Sequence, residues 1–224
     1  MSEPIDEERL NAVVYNELRR RLVTGKMTPG FGLSTRGLAQ ELGVSQTPVR
    51  DALSRLAAEG AVEIRSKKRV QVPAMTFERF EDLLRCRLVL EPEAAALALP
   101  YIDGARLKKL REIDARLDRA IETGDVSAYM EANHAFHFTL YGAPGRRTLT
   151  QLIEMLWLQF GPFMRLVYGR LGTAHLEDQH HAALDAIAAK DVEALRAAIA
   201  ADIGDGMGLI GRTGLIATDA AATA

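Results

Sequence analysis

Leu10, Val13, Val14, Leu18 and Leu22 recur at spacings of three and four, which predicts an amphipathic helix over residues 8–23, stopped by Gly25 and Pro29-Gly30. Ser34 is placed to cap a short helix over residues 35–41, with Leu38 and Leu42 facing inward, and Gly43 makes a turn. Ser45 is placed to cap the next helix, whose first turn accepts Pro48 and whose buried stripe is Val49, Ala52, Leu53 and Leu56. Residues 60–65 and 70–72 then alternate like strands around Ser66-Lys67-Lys68-Arg69, a hairpin with a basic tip. Beyond Pro73 the period is helical throughout. Thr76 caps a helix running to Pro100 with an irregularity at Pro92, and further helices are predicted over 103–122, 126–141, 146–168, 174–189 and 192–209.

Two helices joined by a short Gly-containing turn and followed by a basic hairpin form a winged helix-turn-helix, with the second helix as the recognition helix. The expected fold is therefore mainly α: a winged helix-turn-helix over residues 1–73, a linker over 74–76, an antiparallel helical bundle over 77–210, and an Ala/Thr-rich disordered tail over 211–224. The 224-residue length suits two modules, and 48% hydrophobic with 26% charged residues fits a globular chain. Residues 1–22 lack an apolar run behind a basic start, and no eighteen apolar residues are consecutive, so neither signal peptide nor membrane span is expected and a cytoplasmic location is. The lone Cys86 excludes an internal disulfide and a cysteine-built zinc cluster.

Charge divides the chain. Residues 1–72 carry 12 Lys and Arg against 9 Asp and Glu, and the rest carry 16 against 21, so the basic end is the candidate for double-stranded DNA. All five histidines lie in the acidic part.

The runs Gly25-Lys26-Met27-Thr28-Pro29-Gly30, Leu38 through Leu53 and Leu56-Ala57-Ala58-Glu59-Gly60 closely resemble the GntR superfamily of bacterial regulators. Arg87-Leu88-Val89-Leu90-Glu91-Pro92, Phe136-His137 and the stretch from His180 to Ile187 resemble the helical FCD effector domain of its FadR-type subfamily. The resemblance implies DNA contacts by Arg36, Ser45, Gln46, Thr47 and Arg50, with Lys67, Lys68 and Arg69 reaching the minor groove. The family usually has Arg at Gln46, and Gln pairs with adenine where Arg pairs with guanine, so a changed base preference is expected. It usually has Gly at Arg69.

In the helical part, Asn133 and His137 share a face four residues apart, while His180 and Asp202 lie about equally far from the turn at Lys190-Asp191. The resemblance selects the same four positions, where the family commonly binds a divalent metal with Asp, His, His and His. Here Asn133 replaces the Asp and Asp202 the last His, leaving a set able to hold zinc or nickel; a metal-free polar pocket is the alternative. The resemblance also points Arg87 into the effector cavity, where it would clamp a carboxylate, the alternative being a salt bridge to Glu91; Arg165 could add a second positive group. His134 and His181 read as packed or surface histidines, and His175 as an outside candidate.

The expected function is a homodimeric regulator on a palindromic operator, controlled by a small organic or sugar acid. A metal-dependent helical-bundle enzyme is one rival, although no Glu-x-x-His pair or Ser/His/Asp arrangement stands out. A constitutive DNA-binding protein with a purely dimerising bundle is the other.

Overall fold

In the computed structural model, the described residues are 7–29, 32–66, 69–171, 179–212 and 216. The first helix, α1 (Glu7–Val23), buries Val14, Leu18 and Leu22. Val13, predicted to face inward, is 57% exposed, because the buried stripe is narrower than the apolar pattern. α2 (Thr35–Leu42) starts at Ser34, whose hydroxyl accepts from the Gly37 N–H at 2.9 Å, and ends at Gly43 in the left-handed region at φ 67°. That conformation suits glycine and turns the chain directly into α3 (Gln46–Ala58). Leu38, Val49, Leu53 and Leu56 meet α1 in the core.

The strands β1 (Glu63–Ser66) and β2 (Arg69–Gln71) pair antiparallel, Ile64 opposite Val70. Leu33 exchanges two backbone hydrogen bonds with Val70, at 2.7 and 3.0 Å, which ties the hairpin to the segment before α2. No residue of β2 has positive φ, so Arg69 occupies its position in ordinary extended backbone without needing glycine.

Met75, in the predicted linker, is buried, and Thr76 caps α4 (Phe77–Ala98) by accepting from the Arg79 N–H. α4 runs through Pro92 as one helix, as expected, and a short 3-10 turn, Leu99–Tyr101, follows it. α5 (Gly104–Thr123) and α6 (Val126–Tyr141) form a hairpin around Gly124-Asp125, α7 (Arg147–Leu171) crosses the bundle, and α8 (His180–Ala189) and α9 (Val192–Arg212) form a second hairpin around Lys190-Asp191. α4 packs along α9 and α7, α5 on α6 and α8, and α6 on α7. The predicted start at residues 174–178 lies outside the described residues. Gly211 and Arg212 belong to α9 and not to the tail, because Ile210 is buried and extends the helix's apolar face.

The helix-turn-helix head sits on α7. A Cβ added to Gly161 would lie 2.6 Å from the Val23 carbonyl oxygen and 2.9 Å from that of Leu22, so α1 and α7 meet main chain to main chain. Beside this contact, Gln159 donates to the Glu59 carbonyl at 3.2 Å and accepts from Arg79 at 3.0 Å, while Arg79 also donates to the Gly60 carbonyl at 2.9 Å. Arg19 of α1 pairs with Glu154 of α7 at 2.9 Å.

Candidate metal centre and nucleic-acid interface

α6 supplies Asn133 and His137 one turn apart, α8 opens on His180, and α9 supplies Asp202. Their packing brings His137 Nε2 to 3.3 Å from His180 Nε2 and to 3.2 Å from Asp202 Oδ2, with His180 Nε2 3.9 Å from Asp202 Oδ1. Ligands held at 2.0–2.1 Å around one tetrahedral ion lie ~3.3 Å from each other, so these separations suit a shared cation. The two imidazoles are fully buried. Asn133, on the same face of α6, has a buried Oδ1 with no hydrogen-bond partner, an orphan acceptor of the kind a cation satisfies.

A hydrogen-bonded relay orients His137. Glu91 is wholly buried and accepts from Arg87 Nε at 2.6 Å, from the Tyr141 hydroxyl at 3.0 Å and from Trp157 Nε1 at 3.2 Å. Because the Tyr141 hydrogen goes to Glu91, its oxygen is left to accept from His137 Nδ1–H at 2.9 Å. The neutral imidazole then carries its lone pair on Nε2, toward His180 and Asp202. Behind His180, the Asp114 carboxylate of α5 stands 3.6 Å from Nδ1. With a proton in place of a cation, Nε2–H of a protonated His137 donates to Asp202 instead: burial raises that carboxyl, but this hydrogen bond and the charges of His180, His137 and Arg87 outweigh it and leave it at about 2. An ionised carboxylate and ring lone pairs so close need a proton or a cation between them.

Arg87, expected either as a carboxylate clamp or in a salt bridge to Glu91, makes the salt bridge: it is 3% exposed, paired with Glu91, and stacked on Trp157 and Phe160 at 4.9 and 4.2 Å. Burial works against its charge, but the adjacent carboxylate more than compensates and raises its pKa. Arg165 does not reach the histidines: it donates to Ser127 Oγ at 2.8 Å, and its stem packs over Gly25 at the junction of head and bundle, on the face of α7 that meets α1. His134 stacks on Phe138, and burial together with the charges of His137 and Arg19 lowers its pKa to about 4. His181 is exposed, and His175 lies outside the described residues. The periodicity gave no role to Tyr141, Trp157 or Asp114; only the i,i+4 spacing of His137 and Tyr141 hinted at the relay.

On the head, Ser45, Gln46, Thr47 and Arg50 are all exposed along the first turns of α3, with Arg36 exposed on α2. Arg50 donates to the Gln46 amide oxygen at 3.3 Å, so the two side chains are oriented as a unit. Ser45 occupies the N-cap position without the expected side-chain cap bond, which leaves its hydroxyl and the first N–H groups of α3 facing outward, suited to a phosphate. Arg69 is exposed at the start of β2, with its side chain lying across Gly32. Lys67 and Lys68 lie outside the described residues.

Residues 10–72 match the profile of the bacterial regulatory proteins of the gntR family, and residues 82–205 match the FCD domain. The HTH-type transcriptional regulator McbR of Escherichia coli (strain K12) is 33% identical over 194 residues, 85% of this chain and 88% of the relative. The gluconate operon transcriptional repressor of Bacillus subtilis (strain 168) is 28% identical over 151 residues, 67% of this chain and 60% of that protein. The solved structure of E. coli McbR/YncC superposes with a TM-score of 0.86 at 31% identity, covering 91% of this chain and 97% of that one. A GntR regulator from Rhodococcus sp. RHA1 shares the fold, with a TM-score of 0.72 at 23% identity over 91% of this chain and 98% of that one. These relatives are transcriptional regulators rather than enzymes, and among the described residues no helix is long and apolar enough to cross a membrane. The chain therefore belongs to the GntR family of bacterial regulatory proteins, in the group that carries an FCD domain, and is a DNA-binding transcriptional regulator.

Proposed function

We propose that this regulator binds a palindromic operator as a homodimer and is controlled by a small organic or sugar acid at a divalent metal centre in the bundle. The observation that carries the reading is the convergence of His137 Nε2, His180 Nε2 and the Asp202 carboxylate on one point, with the orphan oxygen of Asn133 one turn from His137 on the same helix. Two imidazoles with oxygen donors suit zinc or nickel. When bound, such an ion supplies a Lewis-acidic point that accepts a carboxylate oxygen of the effector. The residues themselves set orientation: Tyr141 holds His137, Asp114 backs His180, and Arg87 stabilises the buried Glu91 charge on which Tyr141 depends. One relative regulates the gluconate operon, which is consistent with a sugar acid in this family.

For DNA, Arg50 and Gln46 on the exposed end of α3 read base edges in the major groove, Arg36, Ser45 and Thr47 fix the register, and Arg69 with the wing tip adds backbone or minor-groove contact. Phe77 and Leu88 lie on one stripe of α4, three turns apart, and with Val89 are 58%, 37% and 69% exposed, which supports a second copy packed on this helix. As a bacterial DNA-binding regulator it acts in the cytoplasm.

The test is metal analysis of the purified full-length protein, followed by melting in zinc or nickel with and without small carboxylates, and operator binding under the same conditions. Zinc or nickel at one equivalent, a melting shift with a carboxylate and a changed operator affinity are expected. Protein that takes up neither metal and responds to no carboxylate would overturn the metal-effector reading while leaving DNA binding intact.

A further inference from the structure

His180 and His181 are adjacent in sequence but part company in space. His180 turns into the bundle at 1% exposed, and His181 turns out with its side chain 64% exposed. The same carboxylate, Asp114, stands against both: Oδ1 is 3.6 Å from His180 Nδ1, and Oδ2 is 3.4 Å from His181 Nε2. Asp118, one turn along α5, places Oδ2 3.6 Å from the same His181 nitrogen. We propose that Asp114, Asp118 and His181 form a second divalent-cation site at the rim of the bundle, sharing Asp114 with the buried centre.

Separate observations support a ligand here. The ligand-capable atoms of the three side chains all lie within 4.8 Å of one another, with the two measured edges close to the ~3.3 Å expected between ligands of a tetrahedral ion. Asp114 is 3% exposed, and among the described residues its only ion-pair partners are the two histidines, Oδ1 facing the buried one and Oδ2 the one at the rim. Burying a carboxylate without a Lys, an Arg or backbone N–H groups around it is unfavourable, and a cation at the rim balances that charge. One imidazole and two carboxylates suit zinc, nickel or manganese, and the exposure of His181 and Asp118 leaves remaining positions to water. The rim site is therefore the weaker of the two. Because one Asp114 oxygen faces each site, loading the rim draws the carboxylate outward and alters the support behind His180.

The probe is zinc ion titrated calorimetrically into full-length protein. The parent takes up two zinc ions per chain in two affinity classes. The double variant His181→Ala with Asp118→Asn, altered only at exposed side chains, loses the weaker class and keeps the tighter one. His137→Ala does the converse, which separates this proposal from the buried centre. Asp114→Asn loses the weaker class and weakens the tighter by about tenfold or more, as loss of a carboxylate behind a ligating histidine does. The same number of zinc ions and the same affinities in the parent and the double variant, with circular dichroism unchanged, overturn the rim site.

Discussion

The Nε2 atoms of His137 and His180 face each other across 3.3 Å although 43 residues separate them in sequence. Two buried ring nitrogens this close must share a proton or a cation. The Asp202 carboxylate at 3.2 Å completes a group that only a proton or a cation reconciles. Asp202→Ala should accordingly abolish tight zinc or nickel uptake, measured as metal per chain after dialysis, while the protein stays folded at neutral pH. An Asp202→Ala protein with undiminished metal content would dismiss these ligands.

Tyr141→Phe deletes the hydroxyl between Glu91 and His137 while keeping the ring. Metal affinity is expected to fall by about tenfold or more, because His137 loses the acceptor that fixes its tautomer. Glu91→Ala is the harsher change, since it leaves Arg87 buried and unpaired. About 3–5 kcal/mol of stability should be lost in chemical denaturation, against a much smaller loss for Tyr141→Phe.

Gly161→Ala brings a methyl group against the carbonyl oxygens of Val23 and Leu22, neither of which can swing away as a side chain could. Overpacking of this kind typically costs ~1–3 kcal/mol. Here the expected signature is specific: the head should melt in a separate, earlier calorimetric transition. A single transition at the parent temperature would show that the close approach does not hold the head.

His134 introduces a pH dependence with a definite sign. Its pKa falls from 6.5 to about 4 on folding, so the neutral ring is the form the fold favours. Its contribution is complete above about pH 6.5, declines as the pH falls toward 4, and reaches about 3 kcal/mol of lost stability below that. His134→Phe, which preserves stacking on Phe138, should flatten the decline of melting temperature over this window relative to the parent. Parallel curves for the two proteins would contradict the assignment.

For DNA, Arg50→Ala is expected to weaken operator binding by about 1–3 kcal/mol and to relax the preference at one base. Gln46→Arg should shift the neighbouring preference from adenine toward guanine. Selection of bound sites from a random pool measures both. An unchanged consensus in the Gln46 variant would remove it from the base-reading surface.

The head was readable because its punctuation is local: Ser34, Gly43 and Pro48 act through bonds and dihedral angles within a turn of themselves. Even so, Ser45 holds the cap position without making the cap bond, a distinction that depends on a rotamer. The hairpin about Lys190-Asp191 placed His180 and Asp202 at about one level, whereas His137 was joined to them only by the family resemblance. The choice between the two readings of Arg87, and the direction of Arg165, stayed open for a physical reason. α4 and α7 are buried on more than one side, so apolar spacing does not reveal which way a given polar side chain turns. Asp114 could not be found from α5 alone, since it gains meaning only when α8 is laid beside it.

The meeting of Val23 and Gly161 leaves no slack between the reading head and the helix that runs past Trp157 into the bundle. A tilt of α7 is then delivered whole to α3, as a turn of a spanner jaw and not as a loosening of its grip. In the proposed two-fold assembly the effector would reset the pitch between two fixed reading heads. Ligand-bound and ligand-free protein should rank operators differently when one base pair is added or removed between the half-sites, yet agree on the bases within each.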